Sequence, residues 1–231
     1  MNSLIDKYNI PGPRYTSYPT VPFWDEASFT SDLWQQSVIK SFNESNAEEG
    51  ISIYIHLPFC EALCTFCACH KRITKQHSVE TPYLETVLKE WDLYVKLFSD
   101  SAKKPKIKEL HLGGGTPTFF SPENLRKLLE GIFSKAEIAE NPEFSFEGHP
   151  NDTTRAHLQT LYDLGFRRAS FGVQDYDPKV QKAINRIQPF ENVENVTNWA
   201  REIGYKGVSH ALVFGLPFHT WEKMEYTIRK T

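Results

Sequence analysis

The sequence Ile51-Ser-Ile-Tyr-Ile-His-Leu57 is an apolar run of strand length, and Cys60-Glu-Ala-Leu-Cys64-Thr-Phe-Cys67 begins three residues after it. Isoleucine at alternate positions favours a β-strand. All 4 cysteines of the chain lie between Cys60 and Cys69. A strand that runs into a loop rich in cysteine is therefore the feature on which the fold and the function depend.

Outward from this strand, short apolar runs alternate with longer amphipathic segments. The predicted strands are Ile51–Leu57, Ile107–Leu112, Glu143–Glu147, Ala169–Val173 and Val208–Phe214. Four helices are predicted between the strands. The first spans Glu80–Phe98, and the second begins at Pro122 with Ser121 as its N-cap. The third begins near Asn151, and the fourth spans Asn192–Ile203 and is ended by Gly204. Alternation of this kind requires a parallel sheet with right-handed crossovers, so we predict the α/β class.

Two different structures are predicted before this core. Tyr8–Phe23 is too rich in proline for a helix or a central strand and predicts an extended arm. Phe29–Phe42 has apolar residues near helical spacing, and the polar segment Asn43–Gly50 follows as a linker. We therefore predict an arm and helix over residues 1–50 and a core domain over residues 51–231.

The composition excludes several partners. The 231 residues are 40% hydrophobic, which suits one sizeable core, and the net charge of -3 gives no overall attraction to nucleic acid or to an anionic membrane. No apolar stretch approaches the roughly 18 residues that span a bilayer, and the N-terminus has no apolar leader. We predict a cytoplasmic protein with no nucleic-acid or membrane partner.

The cysteine spacing indicates a metal or redox role, because disulfides between residues this close would close almost no loop. Cys60, Cys64 and Cys67 form C-x3-C-x2-C, three thiolates able to hold three corners of a cubane iron-sulfur cluster and leave one iron open. Zinc with Cys69 as the fourth ligand is an alternative, and inert buried cysteines are another.

In this position the motif resembles the radical S-adenosylmethionine superfamily, and the resemblance implies a partial (β/α)6-type barrel. Narrower similarity to the oxygen-independent coproporphyrinogen III oxidases covers nearly the whole chain. It rests on Gly12-Pro-Arg-Tyr-Thr-Ser-Tyr-Pro-Thr20, Tyr54-Ile-His-Leu-Pro-Phe-Cys60, Cys67-Ala-Cys69, Gly113-Gly-Gly-Thr-Pro-Thr118, Gly172-Val-Gln-Asp175 and Phe214-Gly-Leu-Pro217.

The resemblance implies a 4Fe-4S cluster on the three cysteines and two molecules of S-adenosylmethionine. A 5'-deoxyadenosyl radical would take a hydrogen from the β-carbon of a propionate of coproporphyrinogen III, and loss of carbon dioxide and one electron would leave a vinyl group. Two propionates would react, giving protoporphyrinogen IX in anaerobic haem synthesis. A reduced flavodoxin- or ferredoxin-type electron donor and a monomer are expected.

The resemblance also implies site residues at the positions that match the family motifs. The family implies contacts to S-adenosylmethionine from Tyr54, Phe66, Gly114, Gly115, Thr116, Glu147, Gln174 and Arg186, and no catalytic residue is assigned beyond this cofactor site. Glycines there let the backbone approach a carboxylate, although a plain tight turn is the alternative. The alternative for Tyr54 and Phe66 is that they are core aromatic residues. The alternative for His56 is that it is a hydrogen-bonded histidine of the strand without a functional role.

Basic residues that suit the substrate carboxylates are Arg14, Lys71, Arg72, Arg167 and Arg168, and solvated surface charge is the alternative for each.

The sequence departs from the family in two places. Ala211 occupies a slot where the family has an aspartate, so a contact to the second S-adenosylmethionine is missing. The chain ends at Thr231 in a helix that begins near Thr220, whereas family members continue, so we expect a truncated member. A haem chaperone on the same core is the alternative function. The tyrosine-rich arm and Cys69 favour the oxidase, because the chaperones typically lack both.

Overall fold

The computed structural model describes residues 3–9, 19–25, 27–99 and 104–231. It divides into two compact units, residues 1–41 and 42–231. In the first unit, α1 covers Leu4–Tyr8 and a 3-10 turn covers Val21–Phe23, so both ends of the predicted extended arm are helical instead. Most of that arm, with Arg14, lies outside the described residues. The predicted boundary between residues 50 and 51 stays a prediction.

Helix α2 spans Ser31–Ser45 and contains the division between the units. The second unit then alternates strands and helices. The strands are β1 Ile51–Leu57, β2 Phe59–Cys60, β3 Arg72–Ile73, β4 Lys106–Gly114, β5 Glu137–Gly148, β6 Arg168–Gln174 and β7 Gly207–Leu212. The helices are α3 Glu80–Phe98, α4 Pro122–Phe133, α5 Arg155–Asp163, α6 Pro178–Ala183, α7 Phe190–Ile203 and α8 Trp221–Lys230. No helix of the described segments has the length and apolar character to cross a membrane.

Within the described residues the main sheet has five parallel strands in the order β1-β4-β5-β6-β7. The predicted parallel α/β fold is therefore confirmed. A second, small sheet pairs β2 with β3. Its strands have two residues each, which is too short for a periodic signal in the sequence.

One face of the main sheet is apolar and is covered by helices. Successive residues of a strand point to opposite faces, so Leu110, Phe144, Phe146 and Phe171 are buried against the helices. Their neighbours on the opposite face include Ser145, Glu147 and Gln174, which are not buried. This division leaves a polar inner face on which a site can be built.

Several predicted boundaries were wrong. Strand β5 begins at Glu137, six positions before the predicted Glu143, because its polar first half pairs with the start of β4 and an irregularity near Asn141 separates the two halves. Helix α5 begins at Arg155 with Thr154 as its N-cap, because the Thr154 side chain accepts from the His157 amide. Strand β7 ends at Leu212, and Phe214 is 85% exposed.

A buried carboxylate joins the end of β6 to α8. Asp175 is fully buried and accepts hydrogen bonds from His219 Nε2 at 2.9 Å and from Thr227 Oγ1 at 3.1 Å. The backbone amide of Asp177 donates to it at 2.6 Å. His219 Nδ1 in turn accepts from the Leu216 amide. The carboxylate therefore fixes both the loop after β7 and the last helix.

Candidate functional site

A cavity of about 400 Å³ lies beyond the carboxyl ends of the main strands. This is where parallel α/β proteins place their ligands. The predicted site residues that line it are Cys60, Cys64, Phe66, Cys67, Gly114, Gly115, Thr116, Glu147, Gln174 and Arg186. The structure thus brings together residues that the sequence spreads over more than 120 positions.

The three cysteines of the motif are free thiols at the wall of this cavity, and each is partly buried. The Cys67 amide donates to the Cys64 carbonyl oxygen at 3.1 Å, which turns the loop back on itself. Cys69 is more exposed but lines the same cavity. Burial raises the pKa of both Cys60 and Cys69, so metal binding at these thiols has to release protons.

The thiols of the motif suit a cluster. Among the residues with described positions, no group of three Cys, His, Asp or Glu side chains that could hold a metal ion is found. Thiolates that each bind a different iron of a cubane do not have to meet at one point. Polar side chains also lie beside the sulfurs: Thr116 Oγ1 is 3.3 Å from Cys60 Sγ, and Arg186 Nη1 donates to Cys64 Sγ at 3.6 Å.

The cysteine loop is docked on the turn that follows α6. The Thr65 amide donates to the Ile184 carbonyl oxygen at 3.1 Å, and Thr65 Oγ1 donates to that of Ala183 at 3.3 Å. Asn185 Nδ2 donates to the Leu63 carbonyl oxygen at 2.8 Å. Asn185 has a φ of 52°, a left-handed conformation that asparagine adopts more readily than most residues. Sequence reasoning missed this turn, because α6 has only 6 residues.

The glycine segment packs directly under the cysteine loop. The Gly115 amide donates to the Leu57 carbonyl oxygen at 2.9 Å. A Cβ atom at position 115 would lie 2.5 Å from the Pro58 carbonyl oxygen and 2.9 Å from Cys60 Sγ. The glycine is therefore required for this close approach, beyond what a plain turn would need. Thr116, the next residue, is buried.

Glu147 lies on the polar inner face, and its side chain is 54% exposed. Glu147 is not at a core position, because alternation along β5 buries Phe146 instead. Glu147 Oε1 lies 3.7 Å from His111 Nε2, and His111 Nδ1 contacts Ser145 Oγ at 2.8 Å. The carboxylate keeps lone pairs that face the cavity.

The side chains of Gln174 and Arg186 line the cavity and pack against Gly172. Gln174 has a φ of 68°, a conformation that costs energy for a residue with a side chain. A Cβ atom at Gly172 would lie 2.6 Å from Gln174 Nε2 and 2.9 Å from Arg186 Nη2. Arg186 Nη2 donates to the Gly172 carbonyl oxygen at 2.5 Å, and its buried Nε has no partner. This unused donor is the kind of orphan group that a bound ligand satisfies.

The two predicted aromatic contacts are placed differently. Phe66 lines the cavity and packs partly on Ile184 and Leu216, so it is partly a core aromatic, and its contact with S-adenosylmethionine stays a prediction. Tyr54 does not line the cavity and is 58% exposed in a neighbouring pocket, which rules out the core alternative. Its hydroxyl lies 3.0 Å from Nδ1 of His56, whose Nε2 contacts the His70 carbonyl oxygen.

Sequence reasoning missed His149 and Asp152, which also line the cavity. Burial lowers the pKa of His149 to about 3, and the Arg186 charge acts in the same direction. Burial raises the pKa of Asp152 to about 6, with Glu61 adding to the shift and Arg186 opposing it. Their side chains approach to 3.8 Å, but this contact is no ion pair because His149 stays neutral.

The basic candidates divide into two groups. Lys71 lines the cavity and donates to the carbonyl oxygens of Cys67 at 2.9 Å and Cys69 at 3.3 Å. Arg167 packs on the Tyr162 ring, Arg168 pairs with Glu143, and Arg72 is exposed on β3. These three do not line the cavity of the cysteines.

Comparisons with known proteins agree with this geometry. The family model described as Radical SAM superfamily matches residues 54–231. The chain is 41% identical over 220 residues to the oxygen-independent coproporphyrinogen III oxidase of Helicobacter pylori (strain J99), covering 94% of this chain and 46% of that protein. It is 35% identical over 228 residues to the protein of that name from Escherichia coli (strain K12), covering 99% of this chain and 48% of the relative.

A solved structure gives the same picture. Coproporphyrinogen III oxidase from Escherichia coli, described as a radical S-adenosylmethionine enzyme, matches with a TM-score of 0.83 at 33% identity, covering 94% of this chain and 48% of that one. The chain spans about half the length of the curated relatives it matches. The alternative of a haem chaperone gains no support from these relatives.

Proposed function

Because the chain belongs to the Radical SAM superfamily, we propose that it acts in the oxidative decarboxylation of two propionate side chains of coproporphyrinogen III to vinyl groups, giving protoporphyrinogen IX. One observation carries this proposal: three thiols of the C-x3-C-x2-C motif share a cavity with the close-packed glycine segment and with Glu147. Similarity to the coproporphyrinogen III oxidases supports the choice of substrate.

The predicted 4Fe-4S cluster and S-adenosylmethionine follow from membership of the superfamily. When bound, they would supply the radical chemistry that removes a β-hydrogen from a propionate, so that carbon dioxide and one electron could leave. The protein has to bind these groups, orient them and exclude water. That two molecules of S-adenosylmethionine bind is part of the proposal.

Each wall of the cavity has a role in this proposal. Cys60, Cys64 and Cys67 would hold the cluster through their thiolates, and S-adenosylmethionine would bind beside it. Gly114 and Gly115 have no side chain, so the backbone there allows its methionine moiety to approach closely.

The remaining contacts come from the strand ends. Glu147, Gln174 and Arg186 offer a carboxylate, an amide and a guanidinium, and the buried Nε of Arg186 supplies a donor with no other partner. Phe66 offers an apolar face in the cysteine loop, and Tyr54 offers a hydroxyl on the inner face of β1.

Ala211 lines the same cavity with a methyl group. An aspartate at this position, which the family resemblance implies, would supply a carboxylate. We propose that its absence weakens the second S-adenosylmethionine contact, and that Ala211→Asp strengthens it.

We also propose a monomer in the cytoplasm that takes electrons from a reduced flavodoxin- or ferredoxin-type protein and binds no nucleic acid. The small net charge of -3 and four cysteines that form no disulfide support this setting.

The test is anaerobic reconstitution with iron, sulfide and S-adenosylmethionine, with dithionite as reductant. We expect 5'-deoxyadenosine from this chain, with little conversion of coproporphyrinogen III, and vinyl products from a version extended by the part of the relatives that the chain does not cover. The Cys64→Ser variant is the control and should form neither. Formation of 5'-deoxyadenosine by the extended version without any vinyl product would support the cofactor site and refute the substrate.

A further inference from the structure

We propose that Thr116 and Arg186 donate hydrogen bonds to the sulfur atoms of Cys60 and Cys64 and thereby raise the reduction potential of the cluster that these cysteines hold. The inference rests on the proposed cluster and not on the identity of the substrate. It assigns to both residues a contact with the cysteine ligands, in addition to any contact with S-adenosylmethionine.

The direction of both hydrogen bonds follows from the chemistry of the ligand. Thr116 Oγ1 lies 3.3 Å from Cys60 Sγ, and either atom is able to donate while the cysteine is a thiol. A metal-bound cysteine is a thiolate without a proton, so the Thr116 hydroxyl has to be the donor. Arg186 Nη1 lies 3.6 Å from Cys64 Sγ and has only protons to offer.

Both donors are held in place by other parts of the fold. Thr116 is buried, and its carbonyl oxygen accepts from the Phe119 amide at 2.9 Å. Arg186 is fixed by the bond from Nη2 to the Gly172 carbonyl oxygen and by its own amide, which donates to Gln181. Both side chains therefore already lie beside the sulfurs of the free thiols.

Reduction by dithionite adds one electron to the cluster, and part of this charge lies on the sulfur atoms. Hydrogen bonds to sulfur stabilise the reduced form more than the oxidised form, and so raise the reduction potential. The guanidinium of Arg186 also carries a full positive charge, whereas the Thr116 hydroxyl is neutral. We therefore expect the larger effect from Arg186.

The experiment is a redox titration of the anaerobically reconstituted chain, without S-adenosylmethionine, followed by electron paramagnetic resonance of the reduced cluster. Arg186→Met should lower the ratio of reduced to oxidised cluster at a given potential about tenfold, which is about 59 mV for a one-electron couple. Thr116→Val should lower this ratio about threefold, or about 28 mV. Thr116→Ser keeps a hydroxyl and should restore the unmodified potential.

Thr65→Val serves as the matched control. It removes a hydroxyl of the cysteine loop that donates to a carbonyl oxygen and not to sulfur, while the Thr65 amide keeps its bond to Ile184. This variant should keep the potential of the unmodified chain, with iron and sulfide measured in every sample.

Unchanged potentials in Thr116→Val and Arg186→Met at full iron content would overturn the inference, as would an equal shift in Thr65→Val. If Arg186→Met loses iron, Thr116→Val and Thr116→Ser still decide the question, because they change little volume. Failure of the unmodified chain to bind iron and sulfide would instead refute the proposed cluster.

Discussion

Replacing the buried carboxylate of Asp175 by alanine should destabilise the second unit by about 3 to 5 kcal/mol. The side chain is fully buried and accepts from His219, from Thr227 and from the Asp177 amide. A buried donor left without an acceptor costs about 1 to 3 kcal/mol. His219 and Thr227 would both lose theirs, whereas water reaches the partly buried Asp177 amide.

Urea unfolding followed by circular dichroism measures this loss as a lower midpoint at constant slope. Asp175→Asn keeps one acceptor oxygen and should cost less, about 1 to 3 kcal/mol. Asp163→Asn is the control, because this carboxylate is 47% exposed and its ion pair with Arg126 should be worth less than about 1 kcal/mol. A loss below about 1 kcal/mol in Asp175→Ala would show that the carboxylate does not hold α8 and would refute the reasoning.

Three further changes test the site. Serine at any of the three motif cysteines should abolish iron and sulfide binding, whereas Cys69→Ser should keep it; the reverse pattern would reassign the ligands. Glu147→Ala should weaken S-adenosylmethionine binding by about 1.5 to 3 kcal/mol in calorimetric titration, with iron content unchanged, and equal affinity would remove Glu147 from the site. Burial raises the pKa of Asp152 to about 6, so stability falls as the pH rises from about 4, near the usual aspartate pKa, to about 6, and the full loss is present above that pH. In urea unfolding at pH 7.5, Asp152→Asn should therefore raise the free energy of unfolding by about 1 to 3 kcal/mol, and this gain should vanish near pH 4. A gain that does not depend on pH would contradict the raised pKa.

The sequence predicts the main sheet well because its strands bury one apolar face. Helix α3 has the predicted bounds Glu80–Phe98, α4 has the predicted N-cap Ser121, and α7 ends at the predicted stop Gly204. The first half of β5 was missed, because Glu137–Asn141 is mostly polar and only pairing with β4 makes it a strand. Local patterns contain no information about such a partner.

The site could be predicted from the sequence at positions where the residue type itself indicates a function. Cysteine spacing and glycine content point to the cavity, and the structure brings these segments together. His149, Asp152 and Asn185 carry no such signal, because histidine, aspartate and asparagine after a strand or a helix are common in ordinary loops. Their positions depend on tertiary contacts between β5, α6 and the cysteine loop.

The docking of the cysteine loop has a consequence for synthesis on the ribosome. The bond between Asn185 and Leu63 joins residues 122 positions apart in the chain. At about 5 to 20 residues per second, the cysteines wait roughly 6 to 24 s before their docking turn is even translated. During that interval the nascent chain presents reduced thiols without the structure that orders them. Iron and sulfur delivery should therefore follow translation of residue 185, and a ribosome stalled before that point should hold a chain unable to retain a cluster.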